Sequence, residues 1–109
     1  MVTSLCIYRV RPGSEGAFKK LLAKHWPTLR RVGLAADVPS TIYLGSEGEK
    51  KPIFVELLNW KDAHGAERAH ELPDVMAVWE PMGKLCEPRD GRPPMEFPIV
   101  EPIEVRFER

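Results

Sequence analysis

The middle of the chain carries a β-hairpin signal, which limits the folds that the sequence can adopt. Residues 41–44 and 53–60 are rich in β-branched, aromatic and other apolar side chains. The short polar segment 46–50 separates them. A connection this short joins neighbouring strands that run antiparallel. We therefore predict a hairpin whose first strand covers residues 37–45 and whose second strand covers residues 53–60.

A strand is predicted at the start of the chain, over residues 2–11. Its apolar side chains alternate between two faces, with Val2, Cys6, Tyr8 and Val10 on one face and Leu5 and Ile7 on the other. The second hairpin strand is likewise apolar on both sides. Strands of this kind are expected to be covered on both faces.

A helix is predicted next, over about residues 15–32, and Gly33 is the expected residue just past its end. Pro27 lies inside this helix. Because a proline removes one backbone hydrogen bond and clashes with the preceding turn, we expect a kink or a break near His25 and Trp26. Such a kink either lines a cavity or only wraps the helix around the core.

The helical region after the hairpin is predicted in two parts. Asp62 is placed to cap a short helix that ends near Leu72, and Pro73 suits the first turn of a longer helix. The longer helix carries apolar residues at helical spacing, namely Val75, Val78, Trp79, Met82, Leu85 and Cys86. This stripe is expected to pack on the sheet, and Pro81 predicts a second kink or a split.

The last part of the chain, residues 87–109, is rich in proline. Residues 87–94 have the turn-forming composition of a loop. From Glu96 onward apolar residues alternate as they do in a strand, at Phe97, Ile99, Ile103, Val105 and Phe107. Pro98 and Pro102 cannot donate a hydrogen bond to a sheet, so we predict an edge strand or an extended arm.

The predicted order of elements is strand, helix, strand, strand, helical region, strand. This is the β-α-β-β-α-β order of a ferredoxin-like α+β domain, in which helices cover one face of an antiparallel sheet. We therefore predict a single domain over residues 1–109. Because two strands are apolar on both sides, the uncovered face is expected to pack on a second copy. The predicted partner is the protein itself, in a homodimer packed sheet against sheet.

The charge balance favours neither nucleic acid nor a membrane as a partner. The chain has 16 basic and 16 acidic residues, so it carries no formal net charge. No segment has the roughly 18 apolar residues of a membrane span, and the N-terminus does not resemble a signal peptide. Cys6 and Cys86 lie in apolar patterns. We expect buried free thiols in a cytoplasmic protein, with a redox pair as the alternative.

Three stretches of the sequence resemble a known family. Residues 8–13, with Glu15 and Phe18, resemble the start of the dimeric α+β-barrel proteins of the antibiotic biosynthesis monooxygenase-like group. Residues 59–63 and 69–73 are similar to that group's exit from the third strand and to its second helical region. The resemblance implies a ferredoxin-like domain that pairs into a dimeric α+β barrel.

The resemblance extends to about residue 87 and implies several activities. The superfamily includes quinone-forming monooxygenases without metal or flavin, haem-degrading enzymes and lactone isomerases. In the first type the substrate itself activates oxygen inside an apolar cavity, so no cofactor is expected. The haem-degrading members use an Asn on the first strand, a Trp on the second helical region and a His iron ligand. Here the first strand offers Cys6 and Tyr8 but no Asn, the Trp position falls near Ala69 or His70, and the ligand position falls near Glu80. Haem degradation is therefore not expected.

The histidines and cysteines have no metal-binding spacing. His64 and His70 are six residues apart, which places them about 240° apart around a helix. No Cys and His pattern typical of zinc is present. We therefore expect no metal site.

The expected ligand is a small, planar, apolar organic molecule in a pocket between the sheet and the helices. The predicted lining residues are Tyr8, His25, Trp26, His70 and Trp79. His70 is the best catalytic candidate because histidine titrates near neutral pH. The alternative is a non-catalytic dimeric module in which these side chains fill the core. Glu56, inside an apolar strand, is either buried with partners or exposed near an edge.

Overall fold

The computed structural model describes residues 1–109 and has five strands and three helices. In chain order these are β1 (Val2–Arg9), α1 (Glu15–Arg31), β2 (Thr41–Glu47), β3 (Lys51–Trp60), α2 (Gly65–Ala69), α3 (Pro73–Lys84), β4 (Met95–Glu96) and β5 (Ile99–Val100). The sheet has the order β2-β3-β1-β4, β5 also pairs with β1, and all pairings are antiparallel. The predicted ferredoxin-like α+β arrangement is confirmed.

The strand limits differ from the prediction at several ends. β1 ends at Arg9 rather than at residue 11, and β3 begins at Lys51 rather than at residue 53. β2 begins at Thr41 rather than at residue 37, because residues 37–38 form a bend. The C-terminal strand is split into β4 and β5 on either side of Pro98, whose carbonyl still accepts a hydrogen bond from the Leu5 N–H at 2.8 Å. Residues 101–109 form neither helix nor strand. Only the four residues of β4 and β5 form the predicted edge strand, and they pair with β1.

The helices continue through their internal prolines. α1 contains Pro27 and α3 contains Pro81, and neither helix is split at these positions. Gly33 follows α1 with φ +81°, a left-handed conformation that glycine adopts without the steric cost other residues bear. None of the three helices combines the length and the apolar character needed to cross a lipid bilayer.

The inner face of the sheet lies beneath α1 and α3. Cys6 is paired with Glu56, and Tyr8 with Phe54, across β1 and β3, and all four side chains are buried. Buried residues of the two helices complete this core, namely Phe18, Leu22, His25, Leu29, Val75, Val78 and Met82. The core therefore places residues of β1 and β3 directly against the helix that carries His25.

The outer face of the sheet carries a row of apolar side chains. Ile7, Val55 and Tyr43 are cross-strand neighbours, as are Leu5 and Leu57. These five side chains alternate with the buried positions of the same strands. They are half-buried or exposed, and Tyr43 is 59% exposed.

Gly65, the first residue of α2, lies against the indole of Trp60. A Cβ atom at Gly65 would stand 2.5 Å from Cε3 of Trp60, a buried side chain whose Nε1–H donates to Ser4 Oγ at 2.9 Å. Replacing Gly65 with alanine is expected to lower the free energy of unfolding by about 1–3 kcal/mol, because the crowded ring cannot move freely. Urea denaturation measures this change. Gly16→Ala in α1 is the control, since no atom lies within 4 Å of its added methyl group; a loss of the same size there would contradict the explanation.

Candidate functional site

A cavity of about 360 Å³ lies between the sheet, the two long helices and the C-terminal segment. Its lining residues are Ser4, Cys6, Tyr8, His25, Leu58, Trp60, Ala66, His70, Met76, Trp79, Glu80, Met82, Gly83, Met95, Phe97 and Ile99. Most of this wall is apolar. A volume of this size is typical of sites for small organic ligands.

A chain of four hydrogen-bonded side chains lies at the cavity, and three of them, Tyr8, His25 and Trp79, line its wall. The Tyr8 hydroxyl donates to Glu56 Oε1 at 2.7 Å. His25 Nδ1 lies 2.9 Å from the same oxygen and 3.2 Å from Oε2. The indole Nε1–H of Trp79 donates to His25 Nε2 at 2.8 Å. The four residues come from β1, β3, α1 and α3, so only the folded chain brings them together.

The carboxyl group of Glu56 is the centre of this chain. Glu56 is 0% exposed. Of the two positions that the sequence allowed, buried with partners or exposed near an edge, the structure shows the first. Burial raises the pKa of Glu56, but the hydrogen bonds from His25 and from the Tyr8 hydroxyl outweigh it and leave the pKa below its usual value. The site therefore holds an ionised carboxylate in the protein interior.

The hydroxyl of Tyr8 is held in its protonated form. Burial, followed by the negative charge of Glu56, raises the pKa of Tyr8 well above its usual value. The phenol is 1% exposed and its ring packs on Phe18, with the ring centroids 5.0 Å apart. Tyr8 thus serves as a fixed donor to the carboxylate.

His70 lies at the mouth of the cavity rather than in its interior. The residue is exposed, and its ring meets Trp79 edge to face with the centroids 4.8 Å apart. Trp79 in turn meets His25 with the centroids 6.2 Å apart. The Trp79 indole therefore contacts two imidazoles, one buried and one exposed. His25 is the one that contacts the buried carboxylate.

Trp26 is the predicted lining residue that the cavity does not include. Its Nε1–H donates to the Ala36 carbonyl at 3.1 Å, and the Arg30 guanidinium lies 5.6 Å from its ring centroid. These contacts place the Trp26 indole outside the cavity that the neighbouring His25 lines. The prediction for Trp26 is corrected accordingly, whereas Tyr8, His25, His70 and Trp79 all lie on the cavity wall.

The two cysteines are free and buried, as expected. Burial, then the negative charge of Glu56, raises the pKa of Cys6 to about 12 from its usual 9.0, against the hydrogen bond with Tyr8. Burial likewise raises the pKa of Cys86 to about 11, opposed by Arg11 and Arg89. The thiolate is the reactive form of cysteine, and a raised pKa keeps each thiol protonated. Folding therefore lowers the reactivity of Cys6 and of Cys86.

We expect both thiols to resist alkylation by iodoacetamide at pH 8 until urea unfolds the chain. Mass spectrometry of timed reactions measures the alkylation. Equal rates in native and unfolded protein would contradict the prediction.

The raised pKa of Cys6 also predicts a loss of folding stability in alkali. Protonated Cys6 contributes fully to stability below its unfolded pKa near 9.0, and this contribution is lost as the pH rises through its folded pKa near 12.

The comparisons with known proteins concern structure. No protein-family model matches the sequence, and no curated protein is similar to it. SnoaB, a cofactor-independent oxygenase from Streptomyces nogalater, has a TM-score of 0.67 and 16% identity, covering 98% of this chain and 97% of that chain. An antibiotic biosynthesis monooxygenase has a TM-score of 0.66 and 10% identity, covering 95% and 100%. This chain has the fold of the antibiotic biosynthesis monooxygenase-like proteins.

The same fold occurs in proteins with other names. An uncharacterized NIPSNAP domain protein from Burkholderia xenovorans has a TM-score of 0.62 and 14% identity, covering 99% of this chain and 100% of that chain. Identities this low establish the antibiotic biosynthesis monooxygenase-like fold, and the resemblance in the sequence is confirmed at that level. Function has to be argued from the residues of the cavity.

The C-terminal segment forms a part of the cavity that was not predicted from the sequence. Met95, Phe97 and Ile99 line the cavity, and the Phe97 ring meets Tyr8 with the centroids 6.0 Å apart. Phe97 and Ile99 belong to the alternating apolar pattern of the predicted edge strand or arm, and Met95 extends that pattern toward the N-terminus. The chain contains no group of three or more His, Cys, Asp or Glu side chains placed to hold a metal ion.

Proposed function

We propose that this chain binds a small, planar, apolar aromatic molecule in the cavity and oxygenates it without a cofactor. The observation that carries the proposal is the buried imidazole of His25, which is held by an ionised carboxylate and faces an apolar cavity. A histidine held in this way is suited to accept a proton from a bound ligand. The cofactor-independent oxygenase SnoaB has the same fold, which is consistent with the proposal.

The proposed reaction begins with a proton transfer. His25 Nε2 accepts the proton of a hydroxyl group on the bound aromatic molecule, which leaves an electron-rich anion that reacts with dioxygen. For a phenol such as 1-naphthol the overall change is phenol plus O₂ to quinone plus water, which balances without an external reductant. The apolar wall excludes bulk water from the anion, and Trp79 offers a ring face for stacking.

Oxygen consumption and ligand-induced thermal shift test the proposal together. We expect 1-naphthol and related phenols to raise the melting temperature of the wild-type protein. His25→Gln keeps a donor for Glu56 but removes the base, so it is expected to retain binding and to lower oxygen uptake about 100-fold or more.

The matched control is His64→Gln, because His64 is exposed and does not line the cavity. This variant is expected to behave like the wild type. No thermal shift with any phenol or quinone would favour the rival function, a dimeric module without a ligand. If the phenols bind but His25→Gln takes up oxygen as fast as the wild type, His25 is not the catalytic base.

We also propose that the protein is a homodimer that packs through the outer face of the sheet. The row of Ile7, Val55 and Tyr43 supports this, because an apolar face without helices is expected to be buried against a partner. Light scattering at micromolar concentration is expected to give the mass of a dimer. Val55→Lys is expected to give a folded monomer, whereas Val38→Lys, at an exposed position outside the sheet, leaves the dimer intact. A monomeric wild type would contradict this assembly.

A further inference from the structure

The proton positions in the buried chain follow from the contact between Trp79 and His25. The indole nitrogen of tryptophan can only donate a hydrogen bond and cannot accept one. The nitrogen that it contacts must therefore carry a lone pair. That nitrogen is His25 Nε2, at 2.8 Å. The proton of the neutral imidazole is therefore on Nδ1, where it donates to Glu56 at 2.9 Å. Glu56 accepts from both His25 and Tyr8, as an ionised carboxylate does.

We propose that Glu56 is a positioning residue that fixes this tautomer of His25, and that the Trp79 indole is a latch on the basic nitrogen. Nε2 has a single lone pair in the ring plane, so it cannot accept from Trp79 and from a ligand hydroxyl at the same time. A ligand that donates to His25 must first displace the indole N–H. This inference rests on the proposed function, and it adds a resting state in which the base is covered.

The energetics of the buried carboxylate argue against a purely structural role for Glu56. No Arg or Lys contacts it; its partners are a neutral phenol and a neutral imidazole. An apolar side chain of similar volume is usually as stable as a buried charged group, or more stable. Unlike an apolar side chain, the Glu56 carboxylate accepts the Nδ1 proton of His25 in a hydrogen bond. This contact leaves the unprotonated Nε2 facing the cavity.

The position of Trp79 suits a group that moves. The residue is half-buried on α3, and its ring lies between the interior His25 and the exposed His70 at the cavity mouth. One edge of the indole therefore faces the site while another part is open to solvent. A rotation about its side-chain bonds breaks one hydrogen bond and uncovers Nε2.

Imidazole ¹⁵N spectra of the labelled protein test the tautomer directly. We expect His25 Nδ1 to carry the proton and Nε2 to have the shift of an unprotonated nitrogen, with no ligand present. Glu56→Gln is expected to keep this tautomer, because the amide oxygen can take the place of Oε1, which accepts both contacts. A proton on Nε2 in the wild type would overturn the inference, whatever the ligand experiments give.

The affinities of 1-naphthol and 1-methoxynaphthalene test the latch, because the two probes differ in one hydroxyl proton. The wild type is expected to bind the naphthol about tenfold more tightly than the ether. Trp79→Phe removes the competing N–H, so the ratio of the two affinities is expected to rise about fivefold. Lost stacking affects both probes and cancels in the ratio. Trp26→Phe, outside the cavity, is the control and leaves the ratio unchanged.

Glu56→Met tests the positioning role. With the Nδ1 acceptor gone, we expect a mixture of His25 tautomers and a naphthol preference of less than about twofold, which Glu56→Gln restores. If Glu56→Met does not fold, the His25 tautomer in Glu56→Gln and the affinity ratio in Trp79→Phe still test the inference. Equal binding of both probes to the wild type overturns the inference and leaves ligand binding intact. Binding of neither probe overturns the proposed function and the latch together.

Discussion

Replacing His25 with leucine is expected to lower the free energy of unfolding at pH 7 by about 3 kcal/mol. The substitution keeps an apolar side chain of similar reach in α1 but removes the donor to Glu56, which is 0% exposed. Removing a hydrogen-bond donor from a buried charged group typically costs about 3 kcal/mol, because the carboxylate is left in the interior with one partner fewer. Tyr8 alone, a neutral donor, does not replace the lost contact.

The destabilisation of His25→Leu is expected to depend on pH in a defined direction. In the wild type the pKa of Glu56 is lowered, so its contribution to stability is present above the unfolded pKa near 4.5 and is lost as the pH falls through the folded pKa. In the variant, burial is no longer offset, so the pKa of Glu56 rises above 4.5. The variant therefore loses stability as the pH rises from about 4.5 toward neutrality.

Urea denaturation of both proteins between pH 4 and pH 8 measures this dependence. The gap between the wild type and His25→Leu should be small at pH 4 and largest near pH 7. The double variant with Glu56→Leu should recover a large part of the loss, since it removes the stranded charge. His64→Leu is the control because His64 is exposed. A loss that is the same at all pH values would rule out the stranded carboxylate as its cause.

Replacing Arg89 with methionine is expected to destabilise the protein by about 3 kcal/mol or more. The Arg89 side chain is 2% exposed, and its guanidinium donates to the carbonyls of Val10 and Pro52. It also pairs with Glu87 at 3.0 Å and with Glu47 at 3.4 Å. The Arg89 side chain thus connects the loop after α3, by hydrogen bonds, to the end of β1 and to the start of β3. Methionine has a similar apolar stem and leaves two carbonyls and two carboxylates without this partner.

Arg92→Met is the matched control for Arg89→Met. Arg92 pairs with the same carboxylate, Glu47, at 2.9 Å, but its side chain is 43% exposed. Exposed pairs contribute about 0–1 kcal/mol, so the two arginines should differ in effect although both contact Glu47. Denaturation midpoints of both variants measure the difference. Equal losses would mean that the charge pair, and not the buried hydrogen bonds, determines the contribution of Arg89.

Local patterns were sufficient to predict most of the fold. The hairpin followed from two apolar runs around a short polar turn, and the helical stripe from Val75 to Met82 followed from its spacing. These signals are local, since each depends on residues within one or two elements. The expectation for the prolines was local in the same way: a kink or a break was predicted at each, and neither helix is broken. A proline weakens a helix locally, but packing of α1 and α3 on the sheet holds both helices together through Pro27 and Pro81.

The cavity was predicted in part. Tyr8, His25, His70 and Trp79 were selected because aromatic and imidazole groups suit a small-molecule site, and all four line the cavity. Trp26 was selected with His25 because they are neighbours in sequence, yet its indole contacts the Ala36 carbonyl and Arg30 instead of the cavity. Met95, Phe97 and Ile99 were missed because nothing in the sequence states which side of β1 the C-terminal segment joins.

The sequence by itself determined the order of the elements, the apolar faces and the set of residue types available for chemistry. The tertiary structure alone decided how they act together. Glu56 lies 31 residues from His25, which lies 54 residues from Trp79. Their contacts depend on the register of β3 and on the rotation of two helices, because a shift of one residue in a strand turns each side chain to the other face. No local pattern carries that information, so the buried carboxylate and its imidazole became visible only in the folded chain.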